Sequence, residues 1–490
     1  MDKPKREKKY QWIWIVIAFL ILIVVLLLPT AEELPQAGHY ALAILAFAVI
    51  LWVTEAVPYP VSALMITVLV AFLLGMSPGL EDPAESMGTS EALKMALSGF
   101  SSSAAILVAA ALFLATAMQI TGLHKRLALW ILSKVGTKTN HIVIGAILVS
   151  IILAFFVPSA TARAGAIVPI LLGMVAAFGL PHNSKLAALL VITSVQAVSI
   201  WNVGIKTAAA QNMVALGFIE KSYNTTVSWS DWFLYAAPWS FVMSIVLFFI
   251  MTKLIQPETA NIENSQHMIQ EQLKELGPLT KKEKKVIIVS LLLLVFWSTE
   301  GVLHPFDTTT VTLAAIAILL TPKIGVFTWH EVENKIPWGT IIVFAVGISL
   351  GTILLETKGA EWLGKGFFHL FHLESMPLLG IIILFTLFNI FIHLGFASAT
   401  SLASALIPIV IAIATALPAT VNEIGFVLIQ QFVISFGFIL PVNAPQNMLA
   451  YGTGAFTVKD FMKSGIPLTI VGFLLIIIFS MTYWKWIGLL

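Results

Sequence analysis

The chain has 490 residues, of which 59% are hydrophobic and only 11% charged, under half the roughly 25% charge of ordinary soluble domains. With a mean hydropathy of +0.95 it has too little polar surface to cover a water-soluble globule, and it reads as a polytopic membrane protein. Cysteine is absent, which excludes disulfides, thiolate metal sites and cysteine nucleophiles.

A basic stretch with Lys3, Lys5, Arg6, Lys8 and Lys9 precedes the first apolar run, 12–28. That run exceeds the apolar core of a signal peptide and no small-x-small cleavage site follows it, so it reads as a first span. Further apolar runs lie near 40–57, 61–74, 100–120, 186–218, 232–252, 286–303, 308–321, 338–355, 422–452 and 466–487. The expected class is therefore all-α, with about eleven spans. Two other apolar stretches, 142–180 and 377–417, are interrupted at Pro158-Ser159-Ala160-Thr161-Ala162-Arg163 and Gly395-Phe396-Ala397-Ser398-Ala399-Thr400. Arms of about 16 residues span roughly 24 Å, short of a ~30 Å bilayer core, and favour two re-entrant hairpins. The polar stretch 256–285 reads as a solvated linker with a short amphipathic helix around 263–276. It carries no Gly-rich phosphate loop.

Placing the N-terminus in the cytoplasm puts 20 of the 27 Lys and Arg on that side and five on the other, as the positive-inside rule requires. Only Arg163 and Lys206 fall inside apolar segments. The chain also repeats itself. Trp52-Val53-Thr54-Glu55 returns as Trp297-Ser298-Thr299-Glu300, Ser159-Ala160-Thr161 as Ser398-Ala399-Thr400, and Gln211-Asn212-Met213 as Gln446-Asn447-Met448. Five spans per unit is an odd number, so the second unit enters the membrane from the opposite side. Such inverted repeats with broken helices are the build of secondary transporters, whose substrate sits near the midplane.

Ser159, Thr161, Ser398 and Thr400 cap the helices that follow each hairpin tip, with Ala160 and Ala399 between them, and converging helix N-termini make an anion site. The null alternative is plain helix capping. An Arg at membrane depth costs about 2.5–3.5 kcal/mol and calls for a partner, either a bound anion or a carboxylate such as Glu55 or Glu300. The other breaks hold Asn202, Lys206 and Thr207 in the first unit and Asn443, Ala444 and Pro445 in the second. Lys206 could face the same anion or pair with a hidden carboxylate. His393 reads as an interior histidine or as a group linked to substrate or proton. Trp52, Glu55, Trp297 and Glu300 read as structural. Neither a cofactor nor a metal is expected, and no nucleic acid.

The run Leu51-Trp52-x-Thr54-Glu55-Ala56-x-Pro58, the two Ser-x-Thr tips and Thr207-Ala208-Ala209-Ala210-Gln211-Asn212 resemble the divalent anion/sodium symporter family. The resemblance is to the branch of citrate/succinate antiporters, INDY-type carboxylate transporters and plastid 2-oxoglutarate/malate translocators. It implies a homodimer in the lipid bilayer, with a fixed scaffold and a transport part that carries dicarboxylate anions by an elevator motion. The implied division is 1–39 for the tail and first span, 40–255 for the first unit, 256–285 for the linker and 286–490 for the second unit. Scaffold spans would occupy 40–139 and 286–372. The transport parts would comprise hairpin 140–182 with broken span 186–218, and hairpin 376–420 with broken span 422–452.

The departures from the family pattern are informative. Sodium-coupled members carry Ser-Asn-Thr at the tips, where this chain has Ala160 and Ala399, and an apolar residue where it has Lys206. A fixed ammonium and guanidinium can offset substrate charge as bound sodium does, but cannot leave with the substrate, which favours obligate exchange. The expectation is Na+-independent antiport of 2-oxoglutarate, succinate, malate or similar anions across a bacterial inner membrane. The alternative is Na+-coupled dicarboxylate or citrate symport. A channel would not need this closed inverted architecture, and no nucleophile–base arrangement points to an enzyme.

Overall fold

A computed structural model describes residues 5–80, 82–259, 265–418 and 420–490. Among them the only β structure is a pair of isolated bridges, Pro78 with Ser86 and Glu300 with His304. Eight helices are long and apolar enough to cross a membrane, and six shorter apolar helices accompany them. The first helix, Lys5–Leu27, packs along Gln36–Thr54. His39 ties the pair, donating from Nε2 to the Val25 carbonyl (2.6 Å) and accepting at Nδ1 from Thr30 Oγ1 (2.9 Å).

The order of helices in the first unit returns in the second. Gln36–Thr54 and Tyr59–Gly75 correspond to Lys281–Thr299 and Thr308–Leu320, Ser103–Thr121 to Trp338–Glu356, and the hairpin Thr139–Phe156/Ala160–Ala177 to Leu378–His393/Ala399–Thr415. The broken spans follow. Lys185–Gly204, a 3-10 turn at Lys206–Ala208 and Ala210–Tyr223 correspond to Glu423–Ile434, a 3-10 turn at Pro441–Asn443 and Pro445–Tyr451. Trp229–Leu254 and Val458–Met481 close the two units.

Three differences from the sequence reading stand out. The first hairpin's arms are 18 residues each, about 27 Å, rather than about 16. Amphipathic helices Leu123–Leu132 and Gly359–Leu370 follow the corresponding spans of each unit; they are too short and too polar on one face to register as apolar runs. The last span begins at Val458 rather than near 466, because Thr457 and Asp460 form a reciprocal capping box that extends the helix backwards. In the linker the helix runs Ser265–Glu275; the part of the expectation on 260–264 lies outside the described residues.

Packing separates the molecule into two cores. One small core joins helices Gln36–Thr54, Tyr59–Gly75 and Thr89–Leu97 to one face of Trp338–Glu356. The larger core holds both hairpins and both broken spans, and at its centre every residue of the spanning window of Lys185–Gly204 is buried. That helix therefore touches protein on all sides, while many large apolar side chains on the periphery, such as Leu64, Phe241 and Ile470, face outward as a bilayer requires.

Candidate functional site

Each hairpin turns at a serine that caps the second arm. Ser159 Oγ accepts from the Ala162 N–H (3.3 Å) and Ser398 Oγ from the Ser401 N–H (3.3 Å). Both serines are extended, which leaves the first N–H groups of Ala160–Ala177 and Ala399–Thr415 pointing out of the tips.

The two breaks are built by one device used twice. Asn212 Nδ2 donates to the carbonyl of Asn202 (2.7 Å) and Asn447 Nδ2 to that of Gly437 (2.8 Å), the same bond 235 residues apart. Each asparagine spans its break and satisfies a carbonyl that the interrupted helix leaves open. The breaks are also stitched across the units: Gln196 Nε2 donates to Phe438 O (2.9 Å), Gln446 Nε2 to Ser199 Oγ (3.0 Å) and Gln211 Nε2 to Ser435 Oγ (3.2 Å).

Tips and breaks enclose a cavity of about 700 Å³, inside the roughly 300–1,000 Å³ range of small-molecule sites. Of the residues singled out from sequence, Ser159, Ala160, Thr161, Asn202, His393, Ser398, Ala399, Thr400, Asn443, Ala444 and Pro445 all line it. Asn443 is itself held: its Nδ2 donates to the His393 carbonyl (2.8 Å), while His393 Nε2 donates to the Asn443 carbonyl (3.3 Å). Among the described residues no aspartate or glutamate is on the wall; its ionisable side chains are Lys335, His124, His393 and Tyr59.

Three expected residues are placed elsewhere. Arg163 is fully buried behind the wall, donating to Asn202 Oδ1 and to the Ala208 carbonyl (3.0 Å). It props the first break and reaches the cavity through Asn202. Thr207 is turned away toward Trp229, whose Nε1 donates to its hydroxyl (3.5 Å). Lys206 is buried on the far side of the break, with Nζ donating to the Val227 carbonyl (2.7 Å). The pairing of Arg163 and Lys206 around one anion is thus not what the structure brings together: Arg163, on the hairpin's second arm, meets the break at Asn202 and Ala208, while Lys206 leaves the break toward Val227.

The wall also contains residues the sequence reading passed over, among them Tyr59, Thr116, Gln119, His124, Lys335 and Thr340. Lys335 counted there as an ordinary loop cation, and no motif marked the others. Gln211 and Gln446 line it too; their place in the repeated Gln-Asn-Met was a usable signal.

The mouth is located by the loop that carries Lys335. That loop lies beside the linker end of Lys281–Thr299, where Lys282 pairs with Glu331 (3.9 Å) and Lys285 Nζ donates to the Ile324 carbonyl (2.5 Å). The cavity therefore opens on the linker's face of the molecule. A second, smaller cavity of about 320 Å³ lies at the other end of the same helix, lined by Lys206, Glu220, Glu300, Asp307 and Thr308.

A family model described as the sodium:sulfate symporter transmembrane region matches residues 9–490. The chain belongs to that family. It is thus an integral membrane transporter rather than an enzyme, all-helical as its sequence indicates. The chain is 49% identical to a membrane protein of Cupriavidus necator over 94% of this chain and 90% of that one. It is 28% identical to the L-tartrate/succinate antiporter of Escherichia coli K12 over 95% and 96%, and 26% identical to the citrate/succinate antiporter of the same strain over 90% and 91%. Among solved structures, the Alcanivorax borkumensis YdaH transporter shares the fold, with a TM-score of 0.55 at 14% identity, over 86% of this chain and 96% of that one.

Proposed function

We propose that this member of the symporter family exchanges C4 and C5 dicarboxylates, of the succinate, malate or 2-oxoglutarate type, without sodium. The observation that carries the reading is the cavity: two helix N-termini and two amide-bearing breaks converge on it, and none of the described residues puts a carboxylate on its wall. Ser159, Thr161, Asn202, Ser398, Thr400 and Asn443 would donate to the substrate's two carboxylates, while the small Ala160, Ala399, Ala444 and Pro445 let backbone approach closely. Each helix N-terminus contributes about 0.3–1 kcal/mol to binding an anion, and up to ~2 when partly buried. Arg163 adds positive charge from behind Asn202, in a setting too dry to screen it. Lys206 supplies far-side charge rather than a direct contact in this state. Support from relatives is that two of them are named as antiporters of succinate against citrate or tartrate.

Cavities at opposite faces between the same helices fit an elevator in which the hairpins and broken spans slide against the scaffold, within a homodimer in a bacterial inner membrane, N-terminus in the cytoplasm. Sodium-coupled symport is the second reading, favoured by the description of the matching family. Proteoliposomes separate the two. Exchange predicts uptake of labelled succinate only into vesicles preloaded with dicarboxylate, unchanged when choline replaces sodium. Sodium-driven uptake into empty vesicles would sink it.

A further inference from the structure

Lys206 and the repeated Glu300 make no direct contact with the central cavity, and the structure joins them. Lys206 Nζ lies 3.5 Å from Thr308 Oγ1, which donates to Glu300 Oε2 (2.6 Å); the Thr308 N–H donates to Glu300 Oε1 (3.2 Å). Lys206 belongs to the first broken span. Thr308 and Glu300 belong to the first two helices of the second unit, which pack on Ser103–Thr121. Glu220, bonded by Ser103 Oγ (2.5 Å), and Asp307 line the same cavity, so one buried ammonium faces three carboxylates.

The first copy of the motif is built alike. Glu55 Oε1 accepts from the Tyr59 hydroxyl (3.0 Å), and Tyr59 stands on the wall of the central cavity. Each repeat thus sets a glutamate–hydroxyl pair at the edge of one cavity, on opposite faces. The second pair has the membrane cation Lys206 against it.

We propose that Lys206, Thr308 and Glu300 form a latch that holds the broken span against the second unit while the central cavity is open, so that Lys206 is a positioning residue setting the balance between the two access states. This rests on the alternating-access part of the proposed function, not on the identity of the anion. Sliding the broken span would take Lys206 away from Thr308, Glu300 and Asp307, while it kept Glu220, which rides on the same span, and the Val227 carbonyl, which precedes the helix Trp229–Leu254 packed against Lys185–Gly204. Losing a hydrogen bond to a charged group shifts a two-state balance by about tenfold or more.

The chain has no cysteine, so single cysteines report each mouth without background: Thr309→Cys on the second cavity and Thr340→Cys on the central one. In oriented vesicles free of dicarboxylate, Lys206→Met, Glu300→Gln and Thr308→Val should each raise maleimide labelling at Thr309→Cys about tenfold and lower it at Thr340→Cys. Lys206→Arg should restore the parent pattern. Thr308→Val is nearly isosteric and keeps the test alive if Lys206→Met does not fold. Unchanged labelling in Thr308→Val and Glu300→Gln, or Lys206→Arg behaving as Lys206→Met, would overturn the latch. Labelling that shifts as expected in a carrier that does not exchange dicarboxylate supports the latch and overturns only the substrate reading.

Discussion

At the level of single residues, the cavity depends on side chains that hold other side chains. Arg163 is fully buried, and its bonds go to Asn202 and to a backbone carbonyl of the break. Replacing it by methionine removes both bonds and the charge behind the wall, and we expect counterflow of labelled succinate to fall by more than tenfold. Arg163→Lys should recover part of the counterflow, because both bonds leave from one nitrogen, Nη2, and an ammonium also carries enough protons for two acceptors. Asn202→Asp places a carboxylate on a wall where none of the described residues supplies one, and dicarboxylate binding should be lost outright by scintillation proximity while folded carrier still elutes as a single species.

The elements that matter at the next scale are the breaks and the linker. If Asn212 and Asn447 do the same work, Asn212→Ala and Asn447→Ala should each lower stability by about 1–3 kcal/mol, as an unpaired buried carbonyl costs. Their detergent melting temperatures should then drop alike; a drop in one alone would mean the repeat is not functionally symmetric. The linker is clamped by Arg126, whose guanidinium donates to the Glu283 carboxylate (2.6 Å) and to the carbonyls of Leu276 (2.9 Å) and Gly277 (2.8 Å). Burial raises the Glu283 carboxyl, but the bonds from Arg126 and Thr280 outweigh it and hold it below its ordinary range. A depressed carboxyl stabilises fully above its ordinary pKa and loses that contribution as pH falls through the lowered value. Protease cutting around 265–277 should therefore rise as pH drops below the carboxylate range, and Glu283→Gln should show the fast cutting at neutral pH.

On the scale of the whole molecule, two cores share few side chains; the large one holds both hairpins and both broken spans, and the small one brings Tyr59 and Val343 to the wall. Close approach of helices fixes that core. A Cβ on Gly465 would collide with the Phe438 carbonyl, the group beside the second break, so Gly465→Val should collapse the break and abolish expression of folded carrier on size-exclusion chromatography. Two cavities of unequal volume, about 700 and 320 Å³, fit the proposed alternating access, in which an inverted repeat would supply the second state by exchanging the roles of its halves.

Residue order alone determined the class, the duplication, the positions of the four interruptions and eleven wall residues, because Pro, Gly and short polar residues inside apolar runs break a helix wherever they fall. It also found the two membrane cations by their cost. Tertiary packing decided where those cations point: Arg163 turns inward behind Asn202, and Lys206 turns away toward Thr308, since a hairpin arm and a broken span carry them and only the packing of those two elements sets their faces. It decided as well that Tyr59, Gln119, His124 and Lys335, which come from distant helices and loops and carry no motif, complete the wall. A break in a helix is local chemistry, written into consecutive residues. The face that a side chain presents is set by helices hundreds of residues away.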